Sequence, residues 1–108
     1  CGTECLAQEY GMIDSDGNMV ISKSMDNMIT NIANFGDEND IKNWSKLCTN
    51  IANEKASKEE GSFVCNRNPL LFVLCLYDVR NFYCPEEEQV KDDKCDERRN
   101  KLKAVFPQ

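Results

Sequence analysis

The apolar positions of this chain recur at helical spacing, and no segment alternates apolar and polar residues in the way a half-buried strand requires. Residues 1–10 predict a short helix with Cys1 and Cys5 four apart on one face, and Gly11 is placed to end it as its C′ residue. Ile13-Asp14-Ser15-Asp16-Gly17-Asn18 is dense in turn formers and predicts a tight loop. Ser22 then caps a second helix, in which Met25, Met28, Ile29 and Ile32 repeat at i, i+3, i+4 and i+7, with Gly36 as its stop. Asp37 caps a third helix with Ile41, Trp44, Leu47, Cys48 and Ile51 on one stripe and Lys42, Asn43, Lys46 and Asn50 on the polar side.

Lys55–Gly61 is charged and small and predicts an exposed loop. From Pro69 to Tyr83 almost no polar face remains, which predicts a helix buried on most sides and central to the fold. Pro85 suits the first position of a last helix, with Glu86, Glu87 and Glu88 at its positive end and Arg98, Arg99, Lys101 and Lys103 at its negative end. The expected fold is an all-α bundle of five to six helices in a single domain spanning residues 1–108.

Composition changes this picture in one respect. The chain carries seven cysteines but no histidine and no CxxC pair, so zinc fingers and thioredoxin-like motifs are not expected and a secreted, disulfide-linked protein is. Seven is odd, which leaves at least one cysteine without an internal partner. Thirteen basic against nineteen acidic residues give a net charge of −6, which works against nucleic acid and anionic membrane surfaces as partners. The longest strongly apolar run, Pro69–Leu76, falls far short of the roughly 20 residues of a membrane span, so membrane insertion is not expected. No signal peptide is visible, and a chain opening at Cys1 reads as a processed or trimmed product.

Candidate chemistry is sparse. Asp14-Ser15-Asp16-Gly17-Asn18 has its glycine fourth rather than sixth, and Met25 stands where an EF-hand loop needs its bidentate glutamate, so the segment reads as a structural turn. Asn43-Trp44-Ser45 is a formal glycosylation sequon inside a predicted helix. Without histidine no Ser-His or Cys-His pair forms, and Asp92 and Asp93 lie in a solvated charge run, so no enzymatic activity, cofactor or metal is expected. The methionine and aromatic stripes suit either plain core or a ligand wall, and periodicity alone does not separate the two.

The cysteine spacings carry more information: Cys1-x3-Cys5, 42 residues to Cys48, 16 to Cys65, 9 to Cys75, 8 to Cys84 with Pro85 directly after it, and 10 to Cys95. This pattern resembles the insect odorant-binding protein family. The x3 pair, the long gap and the x8 pair look like its second to sixth cysteines, while Cys65, Cys95 and the Cys84-Pro85 step look like its C-plus subclass. Residues 5–18, Cys5 to Asn18, are similar to the family's helix-to-loop passage, and the resemblance spans residues 1–106. A counterpart of the family's first cysteine, on an N-terminal helix, is missing. Residue by residue, the resemblance implies bridges Cys1–Cys75, Cys48–Cys84 and Cys65–Cys95, with Cys5 unpaired or bonded to another chain.

The resemblance further implies a secreted carrier that holds small hydrophobic ligands, such as odorants or pheromones, in an internal apolar cavity, with a chemosensory receptor as a downstream partner. It raises the apolar stripes to a candidate pocket wall of Met25, Met28, Ile29, Ile32, Trp44, Leu47, Leu71, Tyr77, Phe82 and Phe106. Tyr77 would supply the polar handle, and Phe106, in an apolar C-terminal tail, would close the pocket. Two other classes share the composition: a saposin-like lipid-interacting protein and a disulfide-rich interaction module with a solid core. The missing first helix also makes a homodimer through an exposed apolar patch a candidate assembly.

Overall fold

Side-chain caps set where the second and third helices begin, at the residues the turn chemistry points to. The computed structural model describes residues 2–59, 66–85 and 92–106. Within them the chain forms α1 (Gly2–Glu9), α2 (Lys23–Ile32), α3 (Glu38–Lys58), α4 (Asn68–Tyr83) and α5 (Asp93–Leu102). The Ser22 hydroxyl accepts the Met25 N–H at the start of α2. Asp37 and Asp40 satisfy each other's backbone N–H groups in a reciprocal capping box at the start of α3. No strand forms among the described residues; a single antiparallel bridge joins Ile13 to Met19.

Two predicted boundaries are corrected. The charged stretch from Lys55 is helical as far as Lys58, because Glu54 pairs with Lys58 one turn on at 2.8 Å and both lysines complement the negative end of the helix. The helix that carries Arg98 does not reach back to Pro85. α5 starts at Asp93, where the Asp92 carboxylate accepts the Cys95 N–H at 2.8 Å. Glu86, Glu87 and Glu88 lie outside the described residues.

The Cys95 backbone N–H, aided by the Cys95 thiol, holds the Asp92 carboxyl below its ordinary value of 3.8. A carboxyl whose folded pKa is depressed stabilises the fold fully above its unfolded pKa, and that contribution disappears as pH falls through the lower, folded value. Asp92 should therefore titrate with an NMR midpoint below 3.8, accompanied by loss of amide protection in the first turn of α5. A midpoint at or above 3.8 would contradict the cap.

α4 touches each of the other four helices. Its Phe72, Leu76 and Val79 are fully buried, meeting a core that includes Met25 and Ile29 of α2 and Cys48 and Ala52 of α3. α3 and α4 run antiparallel: Trp44 packs on Tyr83 with ring centroids 5.4 Å apart, Cys48 reaches Cys75, and the Asn68 amide donates to Asn53 at 2.8 Å. The far side of α4 is open, with Leu74 and Tyr77 about half exposed. The strongly apolar helix is central, but it is not covered all round.

The disulfide pattern departs from the one the family resemblance implies. Cys48 and Cys75 bond to each other across the α3–α4 crossing, with Cα atoms 5.6 Å apart. This overturns both Cys1–Cys75 and Cys48–Cys84. Cys84 caps the end of α4, nine residues beyond Cys75 or about 13 Å along the axis, so a cysteine facing Cys75 is a long way from it. Cys95 carries a free thiol rather than a bridge to Cys65, which lies outside the described residues, as does Cys1. The Cys95 thiol bonds to the Asp92 carboxylate, and this interaction, with some burial, raises its pKa. Cys5 is free and exposed on α1.

The loop between α1 and α2 is tied down by asparagine side chains. Asn53 accepts the Met19 N–H at 2.8 Å and donates to the Met19 carbonyl at 3.1 Å, acting as a substitute strand partner for one peptide. Asn66 donates to the Gly17 carbonyl, and Gly17 has φ +84°, so this tight passage needs glycine on two counts: backbone angle and room for the amide. Gly36 is required for a different reason. A Cβ there would collide with the Trp44 ring, so its part is to let the indole close over the α2–α3 turn.

Candidate functional site

Among the described residues, three clefts between these elements stand out. The first lies between α1, α4 and the loop that follows α1, encloses about 260 Å³, and is lined by Leu6, Ala7, Tyr10, Met12, Met19, Met28, Pro69, Phe72 and Val73, with Thr3 as its one polar member. Packing explains why it exists. α1 touches no helix except α4 and buries only Ala7, so Leu6 and Tyr10 remain more than half exposed along its edge. Three methionine side chains give this lining soft, adaptable walls.

The second cleft, about 420 Å³, runs between the C-terminal half of α3, the open side of α4, α5 and the C-terminal segment. Its apolar lining includes Ile51, Leu71, Leu74, Leu102, Val105 and Phe106, and Lys55, Asp78, Arg98 and Lys101 stand around it. The third, about 470 Å³, is a polar-rimmed depression over Trp44, Leu47 and Tyr83 with Asp40, Asn43, Lys46 and Asn50. Burial raises the Tyr83 pKa, with a further contribution from the Asp40 carboxylate, so its hydroxyl stays protonated well beyond neutral pH.

The residues expected to form one pocket wall are distributed among these places. Met25 and Ile29 are fully buried and line none of the three clefts. The Met25 sulfur accepts the Ser45 and Thr49 hydroxyls at 3.2 and 3.4 Å, which makes it part of a satisfied core. Met28 lines the first cleft; Leu71, Tyr77 and Phe106 line the second; Trp44 and Leu47 line the third. Ile32 and Phe82 are half-buried against the core. The reason for the dispersal is geometric: α2 buries Met25 and Ile29 of its stripe against α3 and α4, and Met28 alone of that stripe reaches a cleft.

Phe106 is buried at the end of the C-terminal segment, 5.5 Å from the Phe82 ring and 6.0 Å from that of Tyr83. It extends an aromatic row that continues through Trp44 to Phe35. The segment thus seals the foot of α4, and its own Val105 is left half exposed beside the second cleft. Tyr77 also stands at that cleft's open edge.

Sequence reasoning missed Leu6, Tyr10, Met12, Met19 and Val73. Leu6 belongs to a short helix with no clear amphipathic stripe and Tyr10 to the turn that follows it, and the two methionines sit in a loop, where periodicity carries no signal. Among the described residues, no group of histidine, cysteine or carboxylate side chains is arranged to hold a metal ion, and no helix is long and apolar enough to cross a membrane. The fold and its clefts define an all-α, disulfide-linked domain with apolar surface openings. Comparison with protein-family models, curated proteins and solved structures gave no match to this chain.

Proposed function

We propose that this protein is a secreted carrier of small hydrophobic molecules, of the kind that insect odorant-binding proteins represent. The cysteine spacings and the Cys84-Pro85 step support this reading, and a disulfide is in keeping with an oxidising compartment. The Cys48–Cys75 pairing departs from the family's pattern, so the reading rests most on the first cleft.

That cleft is the observation that carries it. Nine of its ten lining residues are apolar, and it opens beside a helix that touches no other helix but α4. An apolar molecule entering it gains about 25 cal/mol for each Å² of apolar surface removed from water. α1 is weakly anchored and can yield to admit ligand, since elements with few buried contacts open at low free-energy cost.

A neutral fluorescent naphthylamine should bind the oxidised protein with emission shifted to the blue. Substituting Val73→Trp, at a half-buried position on the cleft wall, should weaken binding at least tenfold (about 1.4 kcal/mol) while leaving helix content unchanged. Failure of the unmodified protein to take up the probe would remove the carrier reading and favour an interaction module with a solid core.

A further inference from the structure

We infer that the second cleft, between α3, α4, α5 and the C-terminal segment, binds a long-chain carboxylate, with its hydrocarbon chain in the trough and its anionic head at Lys55 and Lys101. This is a separate site from the α1–α4 cleft and stands on its own observations. Six large hydrophobic residues are exposed among those described, and three of them, Leu74, Tyr77 and Val105, gather here. Below them Leu102 and Phe106 form a buried floor. At about 420 Å³ the trough falls within the roughly 300–1,000 Å³ of small-molecule sites.

Charge selects the class of ligand. The chain as a whole carries −6, yet the charged residues lining this trough are Lys55, Arg98 and Lys101 against Asp78 alone. Arg98 meets Asp78 through two bonds, at 2.6 and 3.2 Å, so that pair is internally neutral. Lys101 meets Glu97 at 3.3 Å, but both side chains are about two-thirds exposed, a loose pairing that an incoming anion can replace. Lys55 has no ion-pair partner among the described residues. An apolar trough with uncompensated positive charge at its edge matches an amphiphile with one anionic end. A neutral chain of the same length would fill the trough but leave the lysines unused.

Calorimetric titration of the oxidised full chain with laurate and with lauryl alcohol, both as monomers, tests the assignment. Laurate should bind about three- to fivefold more tightly, the range of a solvent-exposed ion pair. Lys55→Met should remove most of that preference and leave the alcohol unchanged. Leu74→Glu, at an exposed position whose substitution spares the core, should weaken both ligands. Val73→Trp, which closes the other cleft, should leave the preference for laurate and its loss in Lys55→Met unchanged. Equal affinity for the two ligands, with no response to Lys55→Met, overturns the inference and leaves the carrier reading standing. Loss of laurate binding in Val73→Trp also overturns it by moving the ligand to the α1–α4 cleft. Cosedimentation with phosphatidylglycerol vesicles in place of monomer uptake would sink it in favour of a lipid surface.

Discussion

Phe72→Ala is expected to lower the stability of the folded chain by about 3–5 kcal/mol, the range for emptying a fully enclosed aromatic site. Phe72 has no exposed surface and lies on the side of α4 that meets the rest of the core. Removing the ring forfeits its transfer free energy and leaves a void that the disulfide-linked α3–α4 pair is poorly placed to close. The ring also floors the α1–α4 cleft, so the variant should enlarge that opening. Each kcal/mol corresponds to about 4–8 °C in melting temperature for a domain near this size, so the midpoint should fall by well over 10 °C. Urea unfolding followed by circular dichroism checks this, with Leu74→Ala as the contrast. Leu74 is 50% exposed on the same helix, and its truncation should cost less than about 1 kcal/mol. Similar losses at the two positions would mean that α4 does not face the core as described.

Removal of the Cys48–Cys75 bond, by Cys48→Ala with Cys75→Ala, is expected to have the second-largest effect. The two cysteines are 27 residues apart in sequence, and in the chain-entropy account closing a loop of that length removes about 3.5 kcal/mol of freedom from the unfolded state. Both cysteines are buried, so the variant also loses packed sulfur from the core. The same burial protects the bond kinetically. Under native conditions the exposed Cys5 thiol should react with an aromatic disulfide reagent at once, whereas mild reductant should open Cys48–Cys75 only after unfolding. Peptide mapping of the oxidised protein provides the direct check. Recovery of Cys48 linked to Cys84, or of Cys75 linked to Cys1, would contradict the connectivity described above.

The elements were largely legible in the sequence because the signals that set them are local. Ser22 and Asp37 cap the helices they were expected to cap, Gly11 and Gly17 take the positive φ that their turns require, and the apolar run after Pro69 forms the helix that all the others touch. Prediction failed where a local signal had two outcomes. The charged residues at 55–58 suit a loop by composition and a helix end by their i,i+4 pairing, and the pairing prevailed. Pro85 suits a first helical position, but Asp92 offers a side-chain cap that Pro85 lacks, and the helix starts there.

By itself, then, the sequence determined an all-α chain, the capped starts of α2 and α3 and the dominance of its most apolar segment, because caps, turns and periodicity act over a few residues. Tertiary structure alone decided which cysteines meet and which apolar residues face a cleft. A disulfide forms where two helices cross, and the antiparallel packing of α3 on α4 sets Cys48 against Cys75 at 5.6 Å, a register that no spacing in the sequence encodes. Likewise, Met25 and Ile29 of the α2 stripe that looked like a pocket wall are covered by α3 and α4, while the openings arise beside α1 and the C-terminal segment, where packing is incomplete. A side chain's period says which face it occupies; only the neighbour on that face decides whether it becomes core or wall.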